Sequence, residues 1–227
     1  EVRVRESSRV RVSRLVVGPR RPLEIVVPRR ITTAEIDRIL ESRRAWIREQ
    51  TARFRAIASR PGALGLVRAG FAPLAGGHVP IVMTRGARSV AELCAGQLTV
   101  GGPVDEAGEA VGRWYRREAR ARIEQAAARE GSRLGLRYER IAIRDQSTRW
   151  GSCSSSGTLS FSWRLVLAPP AVLEYVVVHE LCHLREPNHS NRFWQLVDAA
   201  SPQRRAHGRW LREHAYELHA YDPAAIL

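Results

Sequence analysis

The chain predicts an α+β fold in which small sheets pack against helices, and three observations carry that prediction. Short runs rich in β-branched residues occupy the amino-terminal stretch, residues 2–27. Two long stretches then repeat their apolar residues at helical spacing. Finally, an almost wholly apolar segment opens at Pro169-Pro170 and carries two histidines four residues apart, His179 and His183.

Residues 2–27 read as two or three strands, with Gly18-Pro19 as a turn. Thr32-x-x-Glu35 is a capping box. It opens a helix that turns Ile36, Ile39, Leu40, Trp46, Ile47, Phe54 and Ile57 toward a core, and Pro61-Gly62 ends it. The glycine-rich stretch 63–104 reads as small strands, including Val79 to Met83 and Leu98 to Val100. A second long helix covers 107–130, with Trp114, Tyr115, Ala119, Ile123 and Ala126 inward and Gly131 as its stop. Strands follow at Tyr138 to Ile143, Ser147 to Ser152 and Thr158 to Ser162, then the helix with the histidines. Helices near 191–200, capped by Ser190, and 203–219 complete the chain. The expected division is a β-rich region with one long helix, 1–104, followed by a second domain, 105–227.

The chemistry concentrates in His179-Glu180-Leu181-Cys182-His183 and in His189, six residues later. Histidines at i and i+4 share one helix face, so both imidazoles reach one ion. The run Val176-Val177-Val178 would suit a strand, but a strand would hold His179 and His183 ~13 Å apart. Pro187 stops the helix near Arg185 or Glu186, and Asn188 turns the chain so that His189 returns as third ligand. Glu213, His207 and His214, on a later helical stretch, are the other candidates for that place. Glu180, beside the first ligand, is positioned to take a proton from an attacking water. Three protein ligands leave the fourth position of a zinc ion open, which means hydrolytic chemistry rather than a structural site. His189 also fits the longer HExxHxxGxxH spacing, but Glu186 stands where that pattern has glycine, and the only methionine, Met83, lies upstream.

Arg149-Trp150-Gly151-Ser152-Cys153, Tyr175 to His183 and Asn188-His189-Ser190-x-x-Phe193-Trp194 together resemble the YgjP-like metallopeptidases, relatives of the SprT-like and WLM zinc proteases. Val26-Val27-Pro28 and Arg44-Ala45-Trp46-Ile47 extend the likeness upstream. The resemblance implies a compact zincin-like metallopeptidase fold over the second domain. It also implies a Zn2+ ion on His179, His183 and His189, Glu180 as general base, and a peptide or protein substrate. Arg149 is a candidate for stabilising the oxyanion of the tetrahedral intermediate, or for a salt bridge that holds its loop. Trp163 reads as core, whereas Trp150 divides between core and site.

Every one of the 37 basic residues is arginine, and the net charge is +14. That excess attracts polyanions in a salt-dependent way, so nucleic acid is a possible partner. The alternation in Arg3-Val4-Arg5 and Arg9-Val10-Arg11, followed by Arg20-Arg21, is either a phosphate-reading stripe or the wet face of a sheet. A metal-dependent nucleotide phosphohydrolase and a nucleic-acid-associated protease or binding protein are therefore the alternative readings, although no Walker-type loop is present. No apolar run approaches membrane-spanning length, and no secretory h-region follows the opening charges. Cys94, Cys153 and Cys182 form no disulfide framework, so a cytoplasmic location is expected. Cys182 reads as a small buried hydrophobe and Cys153 as a structural or functional thiol.

Overall fold

The computed structural model describes residues 2–7, 12–18, 21–29, 31–58, 64–146 and 148–226, and it divides into two compact units, Glu1–Leu64 and Gly65–Leu227. The boundary expected at 104/105 falls inside the second unit.

In the first unit, strands β1 (Val2–Glu6), β2 (Arg14–Gly18) and β3 (Arg21–Val27) form a sheet of order β1-β3-β2, as expected for 2–27. β3 is central, parallel to β1 and antiparallel to β2. It buries Ile25, Val26 and Val27, a continuous apolar run of the kind that central strands carry. All of β1 is exposed, and Arg5 donates to Glu24 at 3.0 Å. Arg9, Arg11, Pro19, Arg20 and the Pro61-Gly62 stop lie outside the described residues, as does the side chain of Arg21.

The capping box forms: Glu35 N–H donates to Thr32 Oγ1, and Thr32 N–H donates to the Glu35 carboxylate. The single helix expected from Thr32 onward is two, α1 (Thr33–Ser42) and α2 (Arg44–Ala58). No glycine or proline marks the break. Ser42 Oγ donates back to Ile39 O at 2.9 Å, a bond that competes with the backbone and bends helices. The core positions expected there are also shallower: α1 buries no residue, Ile36, Ile39, Leu40 and Ile47 are half-buried, and Trp46 is exposed. The side chains of Phe54 and Ile57 lie outside the described residues.

The second unit opens with β4 (Phe71–Leu74), β5 (Gly77–Thr84), β6 (Val90–Cys94) and β7 (Gln97–Gly101), in the order β4-β5-β7-β6. Two tight antiparallel hairpins turn at Ala75-Gly76 and Ala95-Gly96, all four residues having positive φ. Parallel pairing of β5 with β7 joins them. Helix α3 (Val104–Leu134) buries Trp114, Tyr115, Ala119, Ile123 and Ala126, as its periodicity predicts. It runs past the expected stop at Gly131 and ends at Gly135, whose φ of 64° suits the left-handed closing residue of a helix. Gly131 is glycine for space: a Cβ there would lie 3.1 Å from Leu136 O. Tyr115 Oη donates to Pro73 O and accepts from Tyr221 Oη, each at 2.9 Å, which fixes α3 to β4 and to the chain's last residues.

A second sheet, β8 (Arg140–Arg144), β9 (Gly151–Cys153) and β10 (Thr158–Ser162), has the order β8-β10-β9, so β9 is an edge. β8 and β9 start later than the sequence suggests, and Ser147 lies outside the described residues. After a buried 3₁₀ turn at Trp163–Leu167 come α4 (Pro170–Cys182), α5 (Asn191–Ala200) and α6 (Arg204–Ala220). α4 packs against α3, α5, α6 and β9, which accounts for its apolar residues on every face. That burial overrides the strand preference of Val176 to Val178. No helix among the described residues is long and apolar enough to cross a membrane.

Candidate active site

Pro170 occupies the first turn of α4, and the helix carries His179, Glu180 and, at its carboxyl-terminal cap, His183. Regular helix ends at Cys182, earlier than the expected Arg185 or Glu186, and a run of turns continues it to Glu186. Those turns and Pro187-Asn188 return the chain toward the helix. His179, His183 and His189 then each offer a ring nitrogen within 4.8 Å of the others. Glu213, His207 and His214, the other candidates for third ligand, are not in that group.

The donor set suits a divalent ion. His179 Nε2 and His189 Nε2 are 3.0 Å apart, near the ~3.4 Å expected for two ligands of one tetrahedral zinc ion. His183 Nδ1 lies 3.1 Å from Glu186 O, and a carbonyl only accepts, so Nδ1 holds the proton and Nε2 keeps its lone pair. Burial pushes His179 down to about 3 and lowers His183, which keeps both rings neutral and able to ligate.

α5 backs this triad. Ser190 Oγ accepts from Phe193 N–H and sets the start of the helix. Phe193 then stacks on His183 with ring centres 4.4 Å apart, and Trp194 stacks on His189 at 5.5 Å. Arg204, paired with Asp198, lies over the Trp194 ring. Cys182, with Val178 and Val197, packs around Phe193, the buried hydrophobic role expected of it. Burial raises the thiols of both Cys182 and Cys153, so neither is an activated nucleophile.

Glu180 is 5% exposed, and burial pushes its carboxyl up to about 8 against the opposing pull of Arg149. It lines a cavity of about 330 Å³ with His179, Arg149, Trp150, Gly151 and Tyr175, walled further by α6. Arg149 is thus at the site, exposed and near Glu180, and Trp150 lines the same cavity, whereas Trp163 is core. Sequence reasoning missed the role of Gly151. A Cβ there would sit 2.5 Å from Glu180 Oε1 and 2.6 Å from Glu180 Cγ, so the carboxylate rests directly on bare β9 backbone. Gly151 pairs with Phe161 of β10, which leaves that backbone little room to yield. The signal was a glycine inside a strand, which marks close approach. Gly151→Ala is expected to displace the carboxylate and lower turnover by about 10²-fold, since ~1 Å of misplacement has that effect. Turnover within threefold of the parent would contradict it.

Trp150 in turn is held by His219, with ring centres 4.1 Å apart and planes 11° from parallel. His219 was not singled out by sequence. Its Nδ1 is buried without a described hydrogen-bond partner, and burial, with Arg164 nearby, pushes it from the usual 6.5 to about 4. The unfolded chain therefore binds more protons than the folded one between those values. His219 contributes stability that is present above pH 6.5 and lost as pH falls toward 4. The melting temperature should fall over that window, and His219→Phe, which keeps a ring on Trp150, should flatten the fall. An unchanged slope would contradict it.

A solved structure, the metallopeptidase zymogen of Pyrococcus abyssi abylysin, is 21% identical over 40% of this chain and 93% of that one, with a TM-score of 0.37. Comparison with curated proteins finds no match. The family model for the YgjP-like metallopeptidase domain matches residues 11–214, most of the chain, and the chain therefore belongs to the YgjP-like metallopeptidases.

Proposed function

We propose that this metallopeptidase is zinc-dependent and zincin-like, with His179, His183 and His189 as ligands and Glu180 as general base. The observation that carries this reading is the convergence of three imidazoles beside a buried carboxylate at the wall of an open cavity. An ion held there supplies Lewis acidity for water and for the scissile carbonyl. The Glu180 carboxylate accepts a proton from the attacking water and passes it to the leaving amine nitrogen. Its poor solvation raises its proton affinity and suits it to the first half of that task. Arg149 shares the cavity and is our nominee for the oxyanion. The edge strand β9 offers backbone groups next to Glu180 on which an extended peptide can pair. Three free cysteines support a reducing, cytoplasmic setting.

The test compares an unstructured protein such as casein with nucleoside triphosphates under the same zinc loading. Chelator-sensitive cleavage of the casein with nucleotides intact is expected. Phosphate release without peptide cleavage would instead select the phosphohydrolase alternative.

A further inference from the structure

The cavity next to Glu180 has a second, separate character on its α6 side. Its walls there are apolar, from Trp150, Leu211 and Ala215, yet two guanidinium groups, Arg149 and Arg212, border it. Several other arginines of this unit are tied to carboxylates, among them Arg129 to Glu174, Arg164 to Asp145 and Arg204 to Asp198. Among the described residues neither Arg149 nor Arg212 has an ion pair or a hydrogen bond. The Tyr175 hydroxyl likewise has no described hydrogen-bond partner. Arg212 Nη1 and Tyr175 Oη converge on one place: each lies 3.5 Å from where a Cβ on Gly208 would sit. Helix α6 has no side chain at that place, so the space between the two donors stays open.

From this arrangement, and resting on the peptidase reading, we infer that the cavity is a specificity pocket for an acidic side chain of the substrate, glutamate or aspartate. The side chain's methylene stem lies along the apolar wall. Its carboxylate accepts from Arg212, from Tyr175 Oη and, at the mouth, from Arg149. Among the described residues, Glu180 is the one carboxylate lining the cavity. Lysine at the same substrate position meets two like charges and is rejected.

The test uses otherwise neutral hexapeptides with Glu, Gln or Lys at one central position. They are titrated by calorimetry into the zinc-loaded Glu180→Gln protein, so the readout is binding and not turnover. The Glu peptide should bind about tenfold or more tighter than the Gln peptide, the range for a charge-assisted contact, and the Lys peptide weakest. Added salt should narrow the Glu/Gln difference. Arg212→Gln in the same background should bring the Glu/Gln ratio close to one. Equal binding of the Glu and Gln peptides, or a ratio that Arg212→Gln leaves intact, overturns the proposal. Casein cleavage by the parent protein reports on the peptidase reading separately. Intact casein with a persistent Glu/Gln difference would remove that reading while the acid-binding pocket stands.

Discussion

Glu180→Gln is expected to retain the metal ion and to lower peptide turnover by about 10²–10⁴-fold, the usual contribution of a positioned acid–base group. The metal should stay because Glu180 is outside the group of three imidazoles. The shape should also stay, since the amide is isosteric with the carboxylate resting against Gly151. Proton transfer fails, because an amide neither accepts the water's proton nor returns it to the leaving amine. A stability measurement separates this loss from misfolding. The Glu180 carboxyl is raised from 4.5 to about 8 in the folded chain. Its contribution to stability is therefore greatest below pH 4.5 and is lost as pH rises through 8. In metal-free protein at pH 9, Glu180→Gln should melt no lower than the parent, because it removes a buried charge. A variant that melts well below the parent, or one that cleaves as fast, would each contradict the assignment.

His189→Ala should lose the ion. Removing a ligand should weaken metal binding by more than the 10–100-fold that accompanies loss of an outer partner of a ligand, and activity should disappear with it. The comparison that gives this weight is with Glu213→Ala, His207→Ala and His214→Ala. Those three residues were the rival sources of a third ligand, and none joins the triad. Each should keep metal affinity within about threefold of the parent, because residues without shared partners act independently. If Glu213→Ala releases the ion and His189→Ala does not, the third ligand has been misassigned. His189 is exposed, so its replacement should leave the melting temperature of metal-free protein nearly unchanged.

The convergence of the three histidines was legible in the sequence because their spacing is a local property of one helix and one turn. Spacing of four residues fixes His179 and His183 on a common face, and Pro187-Asn188 bends the chain within a few residues of them. The inward face of α3 was legible for the same reason, since its period is long and regular. The break between α1 and α2 was not, because it depends on a side-chain hydrogen bond from Ser42 and not on a helix-breaking residue. The four-stranded order β4-β5-β7-β6 was also hidden: the Ala75-Gly76 and Ala95-Gly96 turns lack the asparagine or aspartate that announces such hairpins. The cavity was the least legible part. It needs Gly151 on β9, Tyr175 on α4 and Arg212 on α6 to meet, and nothing local in the sequence sets those distances.

The central claim is that one ion sits on three imidazoles and keeps a place for solvent. Metal analysis with X-ray absorption, on protein purified without added ions, tests it most directly. The account predicts one zinc per chain with three nitrogen ligands at about 2.0–2.1 Å and a further light-atom ligand from solvent. A sulfur ligand from cysteine, a fourth protein side chain closing the site, or an active protein without metal would contradict it.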